Sequence, residues 1–261
     1  MNPKWSCKFE LKPGKWVFVP TQESIALGKK IKKTIECAWR PPYYYYHLQR
    51  GGHVAALRAH VSRSHFLRID LRDFFGSINL TRVTRRLKER LGYDLAREWA
   101  KASTVPHPKQ KRKMILPFGF VQSPIIASLC FAESALGKHL HQLSRRKDVS
   151  ASLYMDDIII STDDDALCAS LTTSLKYLTK VSHFEPNISK QEGPGPNIAA
   201  FNIILAHDEL ALTDERMRMF RQALTEATSP QQQGGILAYV ETVNSAQAAG
   251  LLSSMTRAKK G

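Results

Sequence analysis

Residues 152–161, SLYMDDIIIS, place two adjacent aspartates between two short runs of strand-forming residues. The run after them, Ile158 to Ile160, is β-branched, and the pattern predicts a tight β-hairpin with Asp156 and Asp157 at its tip. Aspartate is a common turn former, so a turn without further function is one interpretation. The alternative is a cation site, because two neighbouring carboxylates repel each other unless a positive charge lies between them.

A second acidic run, Asp163 to Asp165, follows closely and serves as a comparison. It precedes ALCASLTTSLKYL, whose apolar spacing predicts a helix. Aspartates at the start of a helix cap its free N–H groups and are favoured by the helix dipole. This run therefore needs no function beyond helix capping, which leaves the hairpin pair to be explained.

A third candidate carboxylate, Asp70, lies in SHFLRIDLRDFFGSI, residues 64–78, which predicts a strand that ends in an acidic, aromatic turn. The order of predicted strands and helices is that of an α+β fold, in which separate strands can bring Asp70 beside the hairpin tip. Carboxylates from two strands form an all-oxygen site suited to Mg²⁺ or Mn²⁺. Two such ions about 4 Å apart can activate a 3′-hydroxyl and stabilise a leaving pyrophosphate.

The charge of the chain is uneven along its length. Its 261 residues carry a formal net charge of +15, and residues 1–113 contain 25 Lys and Arg against 8 Asp and Glu. Such an excess indicates a polyanion bound by that part of the chain, and nucleic acid is the expected partner. No apolar run approaches the roughly 18 residues of a membrane span, and the N-terminus lacks the apolar core of a signal peptide, so we expect a cytoplasmic protein without membrane contact.

Other patterns predict the remaining elements. KFELKPGKWVFVP predicts a hairpin, and a long helix is expected to begin with Ser123 as its N-cap and Pro124 in its first turn. Two of the four consecutive tyrosines at 43–46 are expected to face the core. AAFNIILAHDELAL predicts one short strand, and residues 214–258 predict two or three helices.

The motifs, taken in order, carry a family resemblance. Tyr154-Met155-Asp156-Asp157 is similar to the hairpin motif of reverse transcriptases, IDLRDFFGSI resembles their palm strand with its first aspartate, and LPFGFVQSPIIASLCF resembles the loop and helix that follow. NISKQEG and AAFNIIL fall where the family has its later palm motif and its primer grip. ILAYVETVNSAQAAGLL is similar to thumb helices of bacterial enzymes. The resemblance covers nearly the whole chain and extends to retron and group II intron enzymes.

The resemblance implies a right-hand polymerase fold with an antiparallel palm sheet. Residues 1–65 would form the fingers, 66–205 the palm with an interleaved fingers segment around 80–118, and 206–261 a short helical thumb. It also implies an RNA-directed DNA polymerase, a nucleotidyltransferase that uses two Mg²⁺ ions, with Mn²⁺ as the alternative.

The same resemblance implies roles for individual residues. Asp70, Asp156 and Asp157 would be catalytic and would hold the metal ions, with Leu71 offering its carbonyl. Phe75 lies where the family places an aromatic ring against the 2′ position of the sugar, so deoxynucleotides are the expected substrate. The alternative for Phe75 is a core position beside its neighbouring phenylalanine.

Further binding residues follow from the family and from the charge pattern. Lys190 resembles the late-palm lysine that protonates pyrophosphate, and a lone surface lysine is the alternative. The other nucleotide-binding candidates are Lys12, Lys15, Arg72, Asp73, Phe74, Phe118 and Gly119. The candidates for contact with nucleic acid are Tyr154, Met155, Lys29, Lys30, Lys32, Lys33, Arg85 and Arg86.

Several positions depart from the family pattern. Val17 lies where many relatives carry a triphosphate-binding arginine, and Phe118 lies where a glutamine is usual, so we expect unusual nucleotide placement. AALRAH, residues 55–60, only partly matches the retron element that ends in histidine.

The compact chain with these departures looks most like the defence-associated, unknown-group reverse transcriptases of bacteria, which act against phage, often with a noncoding RNA. The expected partners are an RNA template, in this subgroup a dedicated noncoding RNA, a DNA product and deoxynucleoside triphosphates. A protein partner or a second copy of the chain stays open. The alternatives are a retron-type enzyme that copies a dedicated RNA into a fixed DNA, and a catalytically silent RNA-binding scaffold.

Overall fold

A computed structural model describes residues 3–258. The strands are β1 (Trp5–Lys12), β2 (Lys15–Pro20), β3 (His65–Arg72), β4 (Val105–Pro106), β5 (Met114–Ile115), β6 (Val149–Tyr154), β7 (Asp157–Thr162), β8 (Glu185–Pro186), β9 (Glu192–Gly195), β10 (Asn197–Ala200), β11 (Ile203–Ala206) and β12 (Glu209–Leu212). The α-helices are α1 (Gln22–Ala38), α2 (Gly52–Arg58), α3 (Leu80–Leu91), α4 (Tyr93–Ser103), α5 (Ser123–Ala132), α6 (Ala135–Ser144), α7 (Asp165–Val181), α8 (Asp214–Glu226), α9 (Pro230–Val243) and α10 (Ser245–Ala258). Within this described part, no helix has both the length and the apolar character needed to cross a membrane.

The central sheet has the strand order β6-β7-β3-β8, and β9 also pairs with β3. All of these pairs are antiparallel, which confirms the predicted mixed fold with an antiparallel sheet. Side chains alternate between the two faces of a strand. On β3, Leu67, Ile69 and Leu71 enter one core together with residues of α5, α6 and α7, and we call this side of the sheet the helical face.

The opposite face of the sheet is covered differently along its length. Phe66 and Ile159 pack into a second core with the sheet β10-β11-β12 and the helices α8, α9 and α10. The single short strand predicted for this region is therefore wrong, because three strands form. Tight turns with a left-handed backbone at Phe201, Asn202 and Asp208, where φ is 58°, 62° and 55°, reverse the chain between them. The helices predicted for residues 214–258 are confirmed as three helices in the described part.

The predicted long helix after residue 122 is also wrong, because it is divided into α5 and α6. Ser123 is the first residue of α5 and not its N-cap, since Gln122 occupies the cap position without a capping side chain. Ser134 begins the second helix by accepting a hydrogen bond from the N–H of Gly137 at 3.0 Å. A Cβ at Gly137 would lie 2.0 Å from the carbonyl oxygen of Phe131, so the two helices meet at a contact that only glycine allows.

In the first half of the chain, one prediction is confirmed and one helix was not predicted. Tyr44 and Tyr45 are fully buried while Tyr43 is 62% exposed, which confirms that two of the four tyrosines face the core. No helix was predicted for residues 93–103, where α4 follows Gly92 directly. That glycine ends α3 with φ at 77°, and its unusual backbone starts a second helix instead of a loop.

Candidate active site

The register of the central sheet brings the three aspartates to one end of it. Asp70 on β3 pairs with Asp157, the first residue of β7. The backbone N–H of Leu71 donates to the carbonyl oxygen of Asp156 at 2.9 Å. Met155 and Asp156 form the two-residue turn between β6 and β7. The residues predicted to be catalytic therefore lie at the same end of the sheet.

Two of these carboxylates are buried and have polar partners. Asp70 is 3% exposed and Asp157 is 7% exposed. Oδ1 of Asp157 accepts a hydrogen bond from Nε of Arg68 at 2.7 Å, and Nη2 of the same arginine lies 2.7 Å away. Oδ1 of Asp70 accepts from Nδ2 of Asn187 at 2.8 Å, and its Oδ2 accepts from Nζ of Lys190 at 3.1 Å.

Burial of this acidic group has an electrostatic cost. Burial, together with the charge of the neighbouring Asp157, raises the pKa of Asp156 to about 6. Burial also raises the pKa of Asp157, although the guanidinium of Arg68 opposes this shift. Positive charge placed among these groups would favour their ionised forms.

The oxygen ligands at this end of the sheet are of the kinds that bind a divalent cation. Asp70, Leu71 and Asp156 line a cavity of about 340 Å³, and carboxylate and carbonyl oxygens are the donors that Mg²⁺ prefers. Among residues 3–258, no group of three or more His, Cys, Asp or Glu side chains is arranged as a ready-made metal site. This agrees with the position of Asp157, whose carboxylate is bound by Arg68. A divalent cation would therefore be held mainly by the carboxylates of Asp70 and Asp156, and Leu71 is among the residues that line the cavity.

Most of the predicted nucleotide-binding residues line the same cavity. These lining residues are Lys12, Lys15, Arg72, Asp73, Phe74, Phe118 and Lys190. The three ammonium groups give the cavity the charge that a triphosphate requires. Nζ of Lys15 lies 4.5 Å from the ring centroid of Phe118. The exposed side chain of Arg72 instead forms an ion pair with Glu185, at 3.7 Å.

Phe118 lines the cavity, and Phe75 packs behind it without being among the lining residues. The ring centroids of Phe75 and Phe118 are 4.6 Å apart, and Phe75 is 4% exposed. The carbonyl of Phe118 accepts from the N–H of Phe18 at 2.9 Å. Gly119 permits this approach, because φ is 103° and a Cβ there would lie 2.2 Å from the carbonyl oxygen of Phe18. The β1-β2 hairpin thus fixes Phe118 and, through it, the surroundings of Phe75.

His47, which the sequence analysis did not assign, holds the hairpin turn. Its Nδ1 accepts a hydrogen bond from the N–H of Met155 at 2.9 Å, and its Nε2 lies 2.7 Å from Oγ of Ser128 on α5. Met155 has φ at 60°, a left-handed conformation that is costly for a residue with a side chain. Burial lowers the pKa of His47 to about 4, and the neutral ring suits a nitrogen that accepts from an amide. No pattern in the sequence marks this contact, because 108 residues separate the partners.

His60 contacts both strands of the same hairpin through its two ring nitrogens. Its Nδ1 lies 2.7 Å from Oγ of Ser161 on β7, and its Nε2 lies 2.8 Å from Oγ of Ser152 on β6. The ring is fully buried, and burial, with a smaller contribution from Arg63, lowers its pKa to about 3. The partial match of AALRAH to the retron element was the one signal that could have identified this residue.

The hairpin tyrosine belongs to an aromatic group that reaches the C-terminal helices. The ring centroid of Tyr154 lies 5.2 Å from that of Phe201 and 5.9 Å from that of His53. Nε2 of His53 lies 3.0 Å from the hydroxyl of Tyr239 on α9. The α9 helix is thereby tied to the end of the sheet that carries the aspartates.

Other predicted nucleic-acid contacts are not brought to the aspartates. Lys29, Lys30 and Lys33 are exposed on α1, and Lys32 on the same helix pairs with Glu36 at 3.7 Å. The predicted contacts Arg85 and Arg86 lie on α3, on the helical face of the sheet, where they line a different cavity.

Solved structures that resemble this chain at low sequence identity include the following three. One is a foamy viral protease-reverse transcriptase in complex with double-stranded DNA, with 16% identity, a TM-score of 0.49, and coverage of 88% of this chain and 34% of that one. A foamy viral protease-reverse transcriptase in complex with an RNA/DNA hybrid matches with 17% identity, a TM-score of 0.46, and coverage of 73% and 23%. Telomerase from Candida albicans, in complex with a fragment of telomeric RNA, matches with 9% identity, a TM-score of 0.45, and coverage of 90% and 45%. The chain therefore spans less than half the length of each of these proteins.

Sequence comparison identifies the family. No curated protein matches the chain. Residues 8–193, however, match the family model described as reverse transcriptase (RNA-dependent DNA polymerase). This range includes the three aspartates, the hairpin and the lining of the cavity, and members of the family generally use divalent metal ions. The predicted family is confirmed: the chain belongs to the reverse transcriptase family, whose members are RNA-directed DNA polymerases, a class of nucleotidyltransferases.

Proposed function

We propose that this chain copies RNA into DNA by two-metal-ion nucleotidyl transfer. The observation that carries the proposal is the meeting of Asp70 and Asp156 at a cavity that three lysines also line. Two Mg²⁺ ions, or Mn²⁺ in their place, would activate the primer 3′-hydroxyl and neutralise charge on the leaving pyrophosphate. RNA template, DNA product and deoxynucleoside triphosphates are the corresponding partners.

In this proposal the chain's own residues divide the work. Asp70 and Asp156, with the carbonyl of Leu71, hold the metal ions, and Asp157 completes the acidic group while Arg68 balances its charge. Lys12 and Lys15 bind the triphosphate. The third lysine of the cavity, Lys190, protonates the leaving pyrophosphate.

The proposal includes the domain assignment of the sequence analysis. Residues 1–65 would act as fingers, 66–205 as the palm with a fingers segment around 80–118, and 206–261 as a short thumb. The cytoplasmic location stays a prediction. The nucleic-acid contacts of Tyr154, Met155 and the α1 lysines also stay predictions.

Templated synthesis tests the proposal directly. Purified protein, an RNA template annealed to a DNA primer, Mg²⁺ and deoxynucleotides should give primer extension, and Asp156→Asn should reduce it at least a thousandfold, about 4 kcal/mol of transition-state stabilisation. Asp163→Asn is the matched control, because this carboxylate is half exposed and only six residues away from Asp157. Equal extension by Asp156→Asn and the wild type, with unchanged circular dichroism, would contradict the proposal.

Sugar selection tests the role of Phe75. If its ring fills the space of a 2′-hydroxyl, Phe75→Ala should raise the ratio of ribonucleotide to deoxynucleotide efficiency tenfold or more, since a clash of about 1.4 kcal/mol changes a rate tenfold. The same ratio is measured for Phe118→Ala. This variant also removes an aromatic ring, one that packs against Phe75 and lines the cavity, but it keeps Phe75 itself. An unchanged ratio in a folded, active Phe75→Ala enzyme would assign Phe75 to the core alone.

The biological setting rests on the resemblance stated for the sequence. We propose the defence-associated bacterial group, with a dedicated noncoding RNA as template, and the partial match of residues 55–60 separates it from retron enzymes. Sequencing the nucleic acid that copurifies from cells distinguishes the two, because a branched, defined RNA–DNA product would assign the chain to retrons. A catalytically silent scaffold is disfavoured, because buried carboxylates with raised pKa values are costly unless chemistry requires them.

A further inference from the structure

A second cavity lies in the helical layer of the molecule. It has a volume of about 360 Å³ and is lined by Arg82, Arg85 and Arg86 of α3, Ser134 before α6, and Ser182 and His183 after α7; we call it the arginine pocket. Its volume is in the range of small-ligand sites, about 300–1,000 Å³.

The arginine pocket and the aspartates lie on different sides of the central sheet. The elements α6 and α7 pack against the sheet through the core that contains Ile69 and Leu71. Because side chains alternate along a strand, Asp70 between these two residues points to the opposite face. A ligand in the arginine pocket is therefore separate from a nucleotide in the cavity at the aspartates.

The arginines of the pocket carry more positive charge than the described residues balance. Among residues 3–258, neither Arg82 nor Arg85 forms an ion pair with a carboxylate. The one carboxylate that lines the pocket, Glu133, is 3.2 Å from Nη2 of Arg90. Arg86 pairs with Glu89 at 3.3 Å, but its Nε is buried without a hydrogen-bond partner.

The geometry of Arg82 is fixed before any ligand arrives. Its guanidinium lies 4.2 Å from the ring centroid of Phe184, which is buried beneath the pocket. Burial, and to a smaller extent the neighbouring Arg86 and Arg85, lowers the pKa of Arg82. An anion in the pocket would offset this mutual repulsion, and a pre-ordered guanidinium loses little freedom on binding it.

Two helix N-termini add partial positive charge to the same cavity. Asn79 caps α3 by accepting from the N–H of Arg82 at 2.9 Å, and Ser134 caps α6. The N–H of Leu136 at the start of α6 also has an acceptor, the hydroxyl of Ser182 at 2.8 Å. The contribution of these helix ends is therefore the dipole of each helix, which favours an anion, and not a set of free N–H groups.

Ser77 and Thr81 also line the pocket, although the hydroxyl of Ser77 already donates to the carbonyl of Phe74 at 2.6 Å. The guanidinium groups of the three arginines therefore remain the main donors of the pocket, and they match the oxygens of a phosphate better than the face of a base.

We propose that the arginine pocket binds a backbone phosphate of RNA outside the polymerase cleft. The inference rests on the proposed function, since RNA is the template there, but it assigns a second contact on the outer side of the palm. One part of an RNA molecule would bind in the arginine pocket while another part lies near the aspartates, so the protein would hold the RNA at two places. The same chemistry would also accept a free phosphate or a nucleotide, which the experiment distinguishes.

Binding is measured without synthesis, by fluorescence anisotropy of a labelled single-stranded RNA of about 20 nucleotides. Arg82→Gln also removes the guanidinium that lies over Phe184, whereas Arg85→Gln alters an exposed side chain, so the second variant preserves the fold if the first does not. Each should weaken binding severalfold. Each should also reduce the slope of log affinity against log salt by about 0.7, the value for one phosphate contact on a single strand.

Lys88→Gln is the matched control, because it removes one positive charge from the exposed side of the same helix and does not line the pocket. Unchanged affinity and salt slope in Arg82→Gln and Arg85→Gln would overturn the proposal, as would an equal loss in Lys88→Gln. Calorimetric titration with uridine monophosphate and inorganic phosphate is the second arm. Binding of either that the arginine variants lose, with unchanged RNA affinity, would overturn the RNA assignment in favour of a free phosphate ligand.

These outcomes are independent of the polymerase proposal. Asp156→Asn lies on the other side of the sheet and should bind RNA with wild-type affinity. Loss of primer extension without loss of RNA binding in Asp156→Asn would support the polymerase proposal. Weakened RNA binding in the arginine variants, with the metal site intact, would support the arginine pocket as an RNA contact. A negative result in the primer-extension assay therefore does not affect the conclusion from RNA binding, and the converse also holds.

Discussion

Two acidic segments separated by five residues behave in opposite ways. Asp156 and Asp157 lie where a buried hairpin turns, and burial raises the pKa of both carboxyls. Asp163 lies at the other end of β7 with its side chain 55% exposed, and the hydrogen bond from Arg63 lowers its pKa. Asp164 caps α7 by accepting from the N–H of Leu167 at 3.0 Å.

The difference teaches that residue type does not decide the role of an aspartate. Each segment has an arginine partner, Arg68 for Asp157 and Arg63 for Asp163, at 2.7 Å in both cases. What differs is the exposure of the carboxylate, since water screens the side chain of Asp163, which is 55% exposed, and is largely excluded from that of Asp157, which is 10% exposed. Buried charge is costly, and it persists where the surrounding fold compensates it.

Removing the two arginines separately should give the largest contrast. Arg68→Gln leaves Asp157 charged and buried without its partner, and we expect it to lower the free energy of unfolding by about 3–5 kcal/mol. Arg63→Gln removes a pair whose carboxylate is half exposed, together with hydrogen bonds to Ser150 and to the carbonyl of Lys147, and should cost less, about 1–2 kcal/mol. Urea unfolding at pH 7.5 measures both. Similar losses in the two variants would show that burial does not distinguish the pairs.

Acid should weaken the hairpin that carries Asp156 through His60. The pKa of this histidine is about 3 in the folded protein and about 6.5 when unfolded. Below pH 6.5 the unfolded chain binds a proton that the folded chain does not, so this contribution to stability is complete above pH 6.5. It falls as the pH drops toward 3 and costs about 2 kcal/mol at pH 5.

The measurement compares urea unfolding at pH 8 and pH 5. His60→Gln should be less stable than the wild type at pH 8, but it should lose about 2 kcal/mol less between the two pH values. The exposed His207 is the control position, and His207→Gln should follow the wild type. A pH response of His60→Gln equal to that of the wild type would exclude His60 as its source.

The turn at Asp156 depends on a distant residue, whereas the cap at Asp164 is local. His47→Ala removes the acceptor of the Met155 N–H and should lower the rate of primer extension about tenfold or more, because misplacing the turn by a fraction of an ångström misplaces the carboxylate. His47→Asn, which keeps a short acceptor, should recover part of the rate. A fully active, folded His47→Ala would show that the left-handed turn holds itself.

The smallest effect is expected at the helix cap. Asp164→Ala removes the acceptor for the Leu167 N–H and should lower the free energy of unfolding by about 1 kcal/mol. Primer extension at a temperature where the protein is folded should be unchanged. Loss of extension comparable to that of Asp156→Asn would mean that the second acidic segment takes part in the chemistry.

Local patterns were sufficient for most elements and for the acidic residues. The hairpin at 152–161, the capped helix after Asp164 and the C-terminal helices were predicted correctly, because alternation and capping are properties of neighbouring residues. The errors fell where the backbone takes unusual conformations or close contacts. The break before Gly137 and the turns within 197–212 depend on contacts and φ values that no periodicity encodes.

The sequence by itself determined the family, the strand that bears Asp70 and the hairpin that bears Asp156, since motif order and strand patterns are local. Only the tertiary structure decided that Asp157 pairs with Arg68, that His47 holds the turn, and that arginines of α3 lie on the far side of the sheet. These relations join residues dozens of positions apart, and the pairing register and packing of the sheet set them. Electrostatic roles follow from burial and neighbours in space, so they were decided after the fold and not before it.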